Sequence, residues 1–278
     1  MRRRRTGRAA GAALLAVLAG GCAHTTNYPD PAGPRFAGRH ALPDPDPVLR
    51  VVTFNVQWGR RIDRVVDLLR AETTLRDADF MFLQEMDARG VEKLAAALGY
   101  DYVYYPAVFH PKAHQDFGNA VLSRWPILED RKLVLPEMNR FRRMQRAVVG
   151  ATVLVGDTPV RLYSVHLETM IGIDGPQRRH QVEALLADAA LHPRVVMAGD
   201  FNNRNQVGRL LTRAGYTWLT EHVGNTELIW SWDHVFVRGL ALAGPGRVGS
   251  VRDSRGASDH RPVWAELILP PLSPPAGP

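Results

Sequence analysis

The sequence predicts one large α/β domain in which mixed β-sheets are covered by helices, and three observations carry that prediction. Short β-branched apolar runs alternate with stretches of helical period. Two of the runs are joined directly by Gly156, Asp157, Thr158 and Pro159, a hairpin connection that argues against a purely parallel, doubly wound sheet. Between two proline-rich ends lie about 220 residues, enough for a single domain to bury roughly 70% of its unfolded surface without disulfides.

Strands are expected over 49–54, 80–83, 120–122, 147–155, 160–165, 195–197, 235–237 and 263–269, each rich in Val, Ile, Leu or Phe. Helical spacing places Ile62, Val65, Val66 and Leu69 on one face, as it does Val91, Leu94, Ala95 and Leu98, and then Val182, Leu185, Leu186 and Ala189. Gly99 and Gly215 follow helix ends as C-cap glycines. Tyr100, Tyr102, Tyr104 and Tyr105 alternate in part, as core-facing residues of a strand do. No internal repeat is visible at periods of 20 to 50 residues.

The chain of 278 residues is 45% hydrophobic and 23% charged with one cysteine, which excludes collagen, low-complexity disorder and a disulfide scaffold. The net charge of +7 owes five charges to Arg2, Arg3, Arg4, Arg5 and Arg8; without them the 35 basic residues fall to 30 against 28 acidic ones. The basic balance therefore says little about partners. Those arginines precede an apolar stretch and the string LAGGC at 18–22, a secretory signal pattern that resembles a bacterial lipobox. The apolar segment, roughly 13 residues, is short of the ~20 needed to span a bilayer. The expected organisation is a lipoprotein signal peptide over 1–21, a flexible proline-rich tether over 22–48, the domain over 49–269 and a disordered tail over 270–278. Cys22 is the expected lipidation site, with an ordinary signal peptide as the alternative. Export across the cytoplasmic membrane and anchoring in the cell envelope follow. The outer membrane is favoured, because Ala23 is not the aspartate associated with inner-membrane retention.

Several apolar runs end in a carboxylate, amide or imidazole that no turn or cap requires. Asn55 closes the first, Glu85 follows FMFLQ, His166 follows LYSV, and Asp200 follows VVMAG with Asn202 two residues on. Asp233 precedes HVFV, and Asp259 and His260 stand before the last strand. Strand ends converge in a sheet protein, so residues far apart in sequence can meet in one cleft. Oxygen donors from Asn55, Glu85 and Asp259, without thiolate or HExxH pair, suit Mg²⁺ or Mn²⁺ better than zinc. With histidines added, hydrolysis at phosphorus is a natural chemistry: a carboxylate such as Asp200 brings water, while donors such as His166 and Asn202 stabilise charge.

The strings TFNVQWG, LQEMD, FGNAVLSRWPI, YSVHLE, GDFNN, WDHVFV and SDHRPV, in this order from 53 to 263, resemble the endonuclease/exonuclease/phosphatase (DNase-I-like) superfamily. The resemblance implies a four-layer α-β-β-α sandwich. It implies a metal site at Asn55, Glu85 and Asp259, with Glu85 the principal ligand. Asp200 would orient or deprotonate water, Asn202 would hold phosphate and water, and Asp233 would fix and charge His260. His260 and His166 would contact phosphoryl oxygens. Asn119, Arg146 and Arg178 are expected as substrate contacts, with Arg178 and Gln181 alternatively a solvated helix face. Two departures bear on substrate choice: Ser231, flanked by Trp230 and Trp232, replaces a commonly basic residue, and GDFNN runs on into RNQVG.

Arg140, Arg142, Arg143 and Arg146, and separately His110, Lys112 and His114, form basic groups able to meet a polyanion or, with Met138 and Phe141, a lipid headgroup region. The expected activity is thus a Mg²⁺- or Mn²⁺-dependent phosphodiesterase or phosphatase, monomeric and lipid-anchored. A nuclease and a lipid phosphodiesterase acting on sphingomyelin or phosphoinositides are the enzymatic alternatives. A non-catalytic surface lipoprotein that binds a phosphorylated ligand is the alternative of another class.

Overall fold

The apolar runs predicted as strands pair into two sheets, each with different covers on its opposite faces. A computed structural model describes residues 25–40, 48–111 and 113–271. The expected signal peptide, Cys22, Lys112, residues 41–47 of the expected tether and the tail from residue 272 lie outside these ranges.

In chain order the elements are β1 (Thr26–Asn27), β2 (Phe36–Gly38), β3 (Leu49–Asn55), α1 (Ile62–Ala71), β4 (Phe80–Met86), α2 (Ala88–Leu98), β5 (Asp101–His110), β6 (Gln115–Ser123), β7 (Ile127–Met138) and β8 (Gln145–Val155). There follow β9 (Thr158–His166), α3 (Gly175–Ala189), β10 (Val195–Asp200), α4 (Asn205–Arg213), β11 (Thr217–Trp218), β12 (Asp233–Arg238), β13 (Ala241–Leu242), β14 (Val248–Ser250) and β15 (Val263–Ile268). Among the described residues nine strands form one sheet along β1-β5-β6-β4-β3-β15-β13, with β2 on β5 and β14 on β15. Six form the other, in the order β11-β12-β10-β9-β8-β7. Pairs β3·β4 and β9·β10 are parallel and the rest antiparallel, so both sheets are mixed, as the 156–159 hairpin required.

Alternation sorts the side chains. Val51, Phe80, Phe82 and Val121 of the first sheet meet Val149, Ala151, Val196 and Val235 of the second in the central layer. Their neighbours Val52, Phe54, Met81 and Leu83 face α1 and α2 through Val65, Leu69, Val91 and Leu94. Tyr163, Val195, Met197 and Phe236 face α3 and α4 through Val182, Leu185, Val207 and Leu211. The result is the four-layer α-β-β-α sandwich.

Local chemistry sets the helix ends. Asp87 accepts from Gly90 N at 2.8 Å to start α2, which stops at Gly99 with φ +76°, a left-handed conformation that glycine adopts without penalty. A reciprocal capping box between Asp174 and Gln177 opens α3. Among the described residues no helix is long and apolar enough to cross a membrane.

Three expectations change. The tether does not hold for residues 25–40: β1 and β2 pair with β5, Lys132 Nζ donates to Tyr28 O at 2.5 Å, and Arg35 forks onto Asp130 at 2.6 and 2.7 Å. Since Lys132 and Asp130 belong to β7, this segment straps one sheet to the other. Strand β7 was not anticipated, because as an edge strand it carries Glu129, Asp130, Arg131, Lys132 and Pro136, a composition that blunts edges and hides periodicity. Helix α4 was expected only at its end, before Gly215, because its nine residues, NQVGRLLTR, bury only Val207, Gly208 and Leu211 and leave a weak periodic signal.

Candidate active site

Sheet register brings the first three polar residues together. In β10, Asp200 stands opposite His166 of β9 on one side and Asp233 of β12 on the other, so one rung of the second sheet ends in all three. This approach needs Gly199: a Cβ there would lie 1.9 Å from Val165 O. In the first sheet Asn55 ends β3 beside Gln84 of β4. The register of β4 slips between Leu83 and Met86, where Glu85 has φ +60°. Gln57, Trp58 and Asn202 also have positive φ. Non-glycine residues adopt this region only when their surroundings fix it, and here it turns side chains into the cleft.

Hydrogen bonds join the two sheet ends. Asn55 Nδ2 donates to Glu85 Oε1 at 3.2 Å and to Asp200 Oδ2 at 3.1 Å. Gln57 donates its backbone N–H to Asn55 Oδ1 at 3.1 Å and its amide to Asp259 Oδ2 at 2.8 Å. Ser258 donates to Asn55 O at 2.7 Å and accepts from His260 N at 3.1 Å, which sets the last loop against β3. His260 Nδ1 lies 2.8 Å from Asp233 Oδ2, and its Nε2 lies 3.9 Å from Asp200 Oδ2. His166 Nε2 is 3.5 Å from the same Asp200 oxygen. Asn202 donates its backbone N–H to Asp200 Oδ1 at 2.9 Å and its amide to Leu167 O at 3.0 Å.

Burial and neighbours divide the protonation states. Burial opposes a charge on His260, but Asp233, Asp200 and Glu227 overcome it and push the imidazole up to about 10. Burial, aided by Asp233, raises Asp200 to about 7. His166 is driven well below the usual histidine range by burial and then by Arg146, so it is neutral. The cleft thus holds a charged imidazole, a neutral one and a carboxylate of raised basicity.

Two groups of acids come into question for a cation. Asp200, Asp233 and His260 place ligand atoms within 4.8 Å of one another. The imidazole of that group is charged and bonded to Asp233, so it repels a cation and serves proton handling instead. Glu85 and Asp259 are the other pair of carboxylates at the cleft. Burial raises Glu85, whose oxygens accept from the neutral donors Asn55 Nδ2 and Trp58 N–H at 3.2 Å each. With the exposed Asp259 it offers carboxylate oxygens suited to a hard divalent ion, while Asn55 turns its amide nitrogen toward Glu85 and its Oδ1 accepts from Gln57 N–H.

The remaining expected contacts are placed differently. Asn119 is buried and spends its amide on Ala147 O at 2.9 Å and Ser164 O at 3.3 Å, a tie between the sheets. Arg178 and Gln181 are neither solvated nor open to substrate: Arg178 Nη1 donates to Glu168 O at 2.5 Å, and Gln181 Oε1 accepts from Glu168 N at 3.1 Å. Arg146 does reach the site, 3.1 Å from the His166 ring, and is held by Glu168 at 3.2 Å. Arg140, Arg142 and Arg143 are exposed, separate from it. His110 packs edge-on to Trp58, with centroids 4.6 Å apart.

Three participants were not singled out in the sequence. Glu168 sat in YSVHLE, but its partner Arg146 lies 22 positions away. Asn139, which donates to Glu168 at 3.0 Å, lies in a turn without any periodic signal. Glu227 Oε2 is buried 4.0 Å from His260 Nε2 and has no hydrogen-bond partner among the described residues. Beyond Glu227 a cavity of about 500 Å³ is walled by Met170, Asn203, Arg204, Trp230 and Trp232, whose indoles stack at 5.6 Å.

The model of the Endonuclease/Exonuclease/phosphatase family matches residues 52–260. No curated protein matches the sequence. Among solved structures, an endonuclease/exonuclease/phosphatase from Beutenbergia cavernae is similar with TM-score 0.66 at 21% identity, over 81% of this chain and 72% of that one. A humanized D. rerio TDP2 is similar with TM-score 0.64 at 19% identity, over 80% and 99%. The human Nocturnin catalytic domain, with a bound sulfate anion, has TM-score 0.63 at 15% identity, over 85% and 97%. At these identities the likeness is one of fold.

Proposed function

The chain belongs to the endonuclease/exonuclease/phosphatase family, and on that premise we propose that it is a Mg²⁺- or Mn²⁺-dependent hydrolase of phosphoric esters. The observation that supports this most is the rung Asp233, Asp200 and His166, closed by His260 on one side and by Asn55 with Glu85 on the other. Asp200 takes a proton from the attacking water, for which a raised carboxylate is suited. Asn202 has its amide N–H₂ engaged by Leu167, which leaves its carbonyl oxygen to orient that water. His260, kept charged by Asp233, donates from Nε2 to a phosphoryl oxygen. Neutral His166, backed by Arg146, serves a second phosphoryl oxygen or the leaving group. Glu85 and Asp259, with Asn55 beside them, would hold a divalent ion, which when bound would supply charge neutralisation at the phosphorus centre. The water oxygen bonds to phosphorus, the ester P–O bond breaks, and the leaving oxygen ends protonated.

The D. rerio TDP2 structure that holds a single strand DNA product supports a nuclease as the second reading. A panel of DNA, RNA, sphingomyelin, phosphoinositides and monoesters separates the substrate classes. Turnover of any of them with Mg²⁺ or Mn²⁺, lost in Asp200→Ala, supports the hydrolase. Tight binding of a phosphorylated ligand without turnover, unaffected by Glu85→Ala, would replace it with the non-catalytic binder.

The arginine run, the short apolar segment and the LAGGC string, which holds the only cysteine, support a further proposal: Cys22 is acylated and anchors the chain in the cell envelope, on the outer membrane. Mass spectrometry of the membrane fraction should find acyl groups on Cys22, and Cys22→Ser should release the chain. An unmodified Cys22 would contradict it.

A further inference from the structure

We propose that the 139–144 turn and the adjoining 169–172 loop form a lipid-facing surface that presents the catalytic cleft to an anionic bilayer. The start of the described chain is fixed at this turn. Thr25 Oγ1 donates to Arg142 O at 2.8 Å, Asn27 Nδ2 to Arg143 O at 2.8 Å, and Gln145 N to Asn27 Oδ1 at 2.8 Å, while β1 pairs with β5. Cys22 stands three residues ahead of Thr25, and three peptide units span at most about 11 Å. Chain length alone therefore keeps any acyl chain on Cys22 beside this turn.

The turn has the composition of a bilayer-contacting edge. Phe141 is 70% exposed, Ile171 on the neighbouring loop is 76% exposed, and the two loops are joined by Arg140 N donating to Gly172 O at 2.9 Å. Exposed Arg140, Arg142 and Arg143 flank these apolar tips and match anionic headgroups. Aromatic and aliphatic tips beside basic residues suit the boundary between headgroups and acyl chains. A nucleic acid would use the arginines but leave Ile171 and the chain start unexplained.

One side chain couples this surface to the site. Asn139 Oδ1 accepts from Phe141 N and Arg142 N at 2.9 Å each, and its amide donates to Glu168 at 3.0 Å; Glu168 in turn holds Arg146 against His166. Met170 carries the surface on into the cavity walled by Trp230 and Trp232. Where the proposed hydrolase reading also holds, the substrate this arrangement favours is a phosphoric ester embedded in a bilayer.

The test uses the chain from residue 23, which contains every described element and all the core clusters, in sedimentation with phosphatidylcholine vesicles with and without phosphatidylglycerol. Binding to the phosphatidylglycerol vesicles is expected, weakened tenfold or more both in Arg142→Glu with Arg143→Glu and in Phe141→Ser with Ile171→Ser. Melting temperature and turnover of a soluble phosphodiester should be unchanged in both. Absence of vesicle binding, binding that ignores these substitutions, or an effect of the arginine pair on single-stranded DNA binding alone would overturn the proposal. Vesicle binding with no turnover of any ester would uphold the surface and remove the hydrolase reading separately.

Discussion

Asp233 is fully buried, and its Oδ2 holds His260 at 2.8 Å, so the charge on the imidazole depends on a residue that no substrate reaches. Replacing it by asparagine removes the main attraction that keeps His260 charged. Asp233→Asn should bring the His260 titration, followed by NMR, down from about 10 and cost about 10² to 10⁴ in kcat; an unchanged titration would show that another group charges the ring. Glu168 is the comparable residue behind His166. Removing it leaves Arg146 as an uncompensated buried charge, so Glu168→Ala should cost about 3–5 kcal/mol in denaturant unfolding. At this scale the sequence was legible where a polar residue interrupts an apolar run, as Asn55, Glu85 and Asp200 do. It was opaque where a role depends on a distant partner. Arg178 looks like a helix-face arginine until Glu168 O is found 2.5 Å from it, and Asn119, expected at the substrate, is spent on joining two sheets.

Among the elements, β9 and β10 depend on a residue with no side chain. Gly199→Ala would drive a methyl into Val165 O, so the rung carrying His166 and Asp200 should separate, with loss of both activity and thermal stability. A soluble, fully active Gly199→Ala protein would show that the register is not what aligns the site. The strap formed by residues 25–40 gives a second prediction. Lys132→Met removes the donor to Tyr28 O and Gly33 O, and hydrogen exchange should quicken in 25–40 while β9 and β10 stay protected. The central strands could be read in advance because burial on both faces leaves them uniformly apolar. The strap could not, since Thr25, Asn27, Tyr28 and Arg35 find their partners in Arg142, Arg143, Lys132 and Asp130, far along the chain, and its prolines read as a linker.

For the molecule as a whole, stability should depend on pH through histidines buried without charge. Burial holds His234 at about 4, below its ordinary value of 6.5. Between these values the unfolded chain binds the proton more readily, so this contribution is complete above pH 6.5 and is lost as pH falls toward 4, up to about 3 kcal/mol. Asp200, raised to about 7, contributes in the opposite sense over the same range, so the His234 contribution is read as a difference: from pH 7 to pH 4.5 the wild type should lose up to about 3 kcal/mol relative to His234→Gln in urea unfolding, and identical pH profiles of the two proteins would mean that His234 is hydrated. The α-β-β-α order explains why function and fold are tied, since the two sheets meet through Asn55, Glu85 and Asp200 at one end. Metal-dependent hydrolysis is tested with an activated phosphodiester and the chain from residue 23, with Mg²⁺, with Mn²⁺ and with chelator, beside Glu85→Gln. Turnover should be abolished by chelator and lowered by at least about 10² in Glu85→Gln, whereas no turnover with either ion, or turnover indifferent to chelator, would contradict a metal-dependent hydrolase.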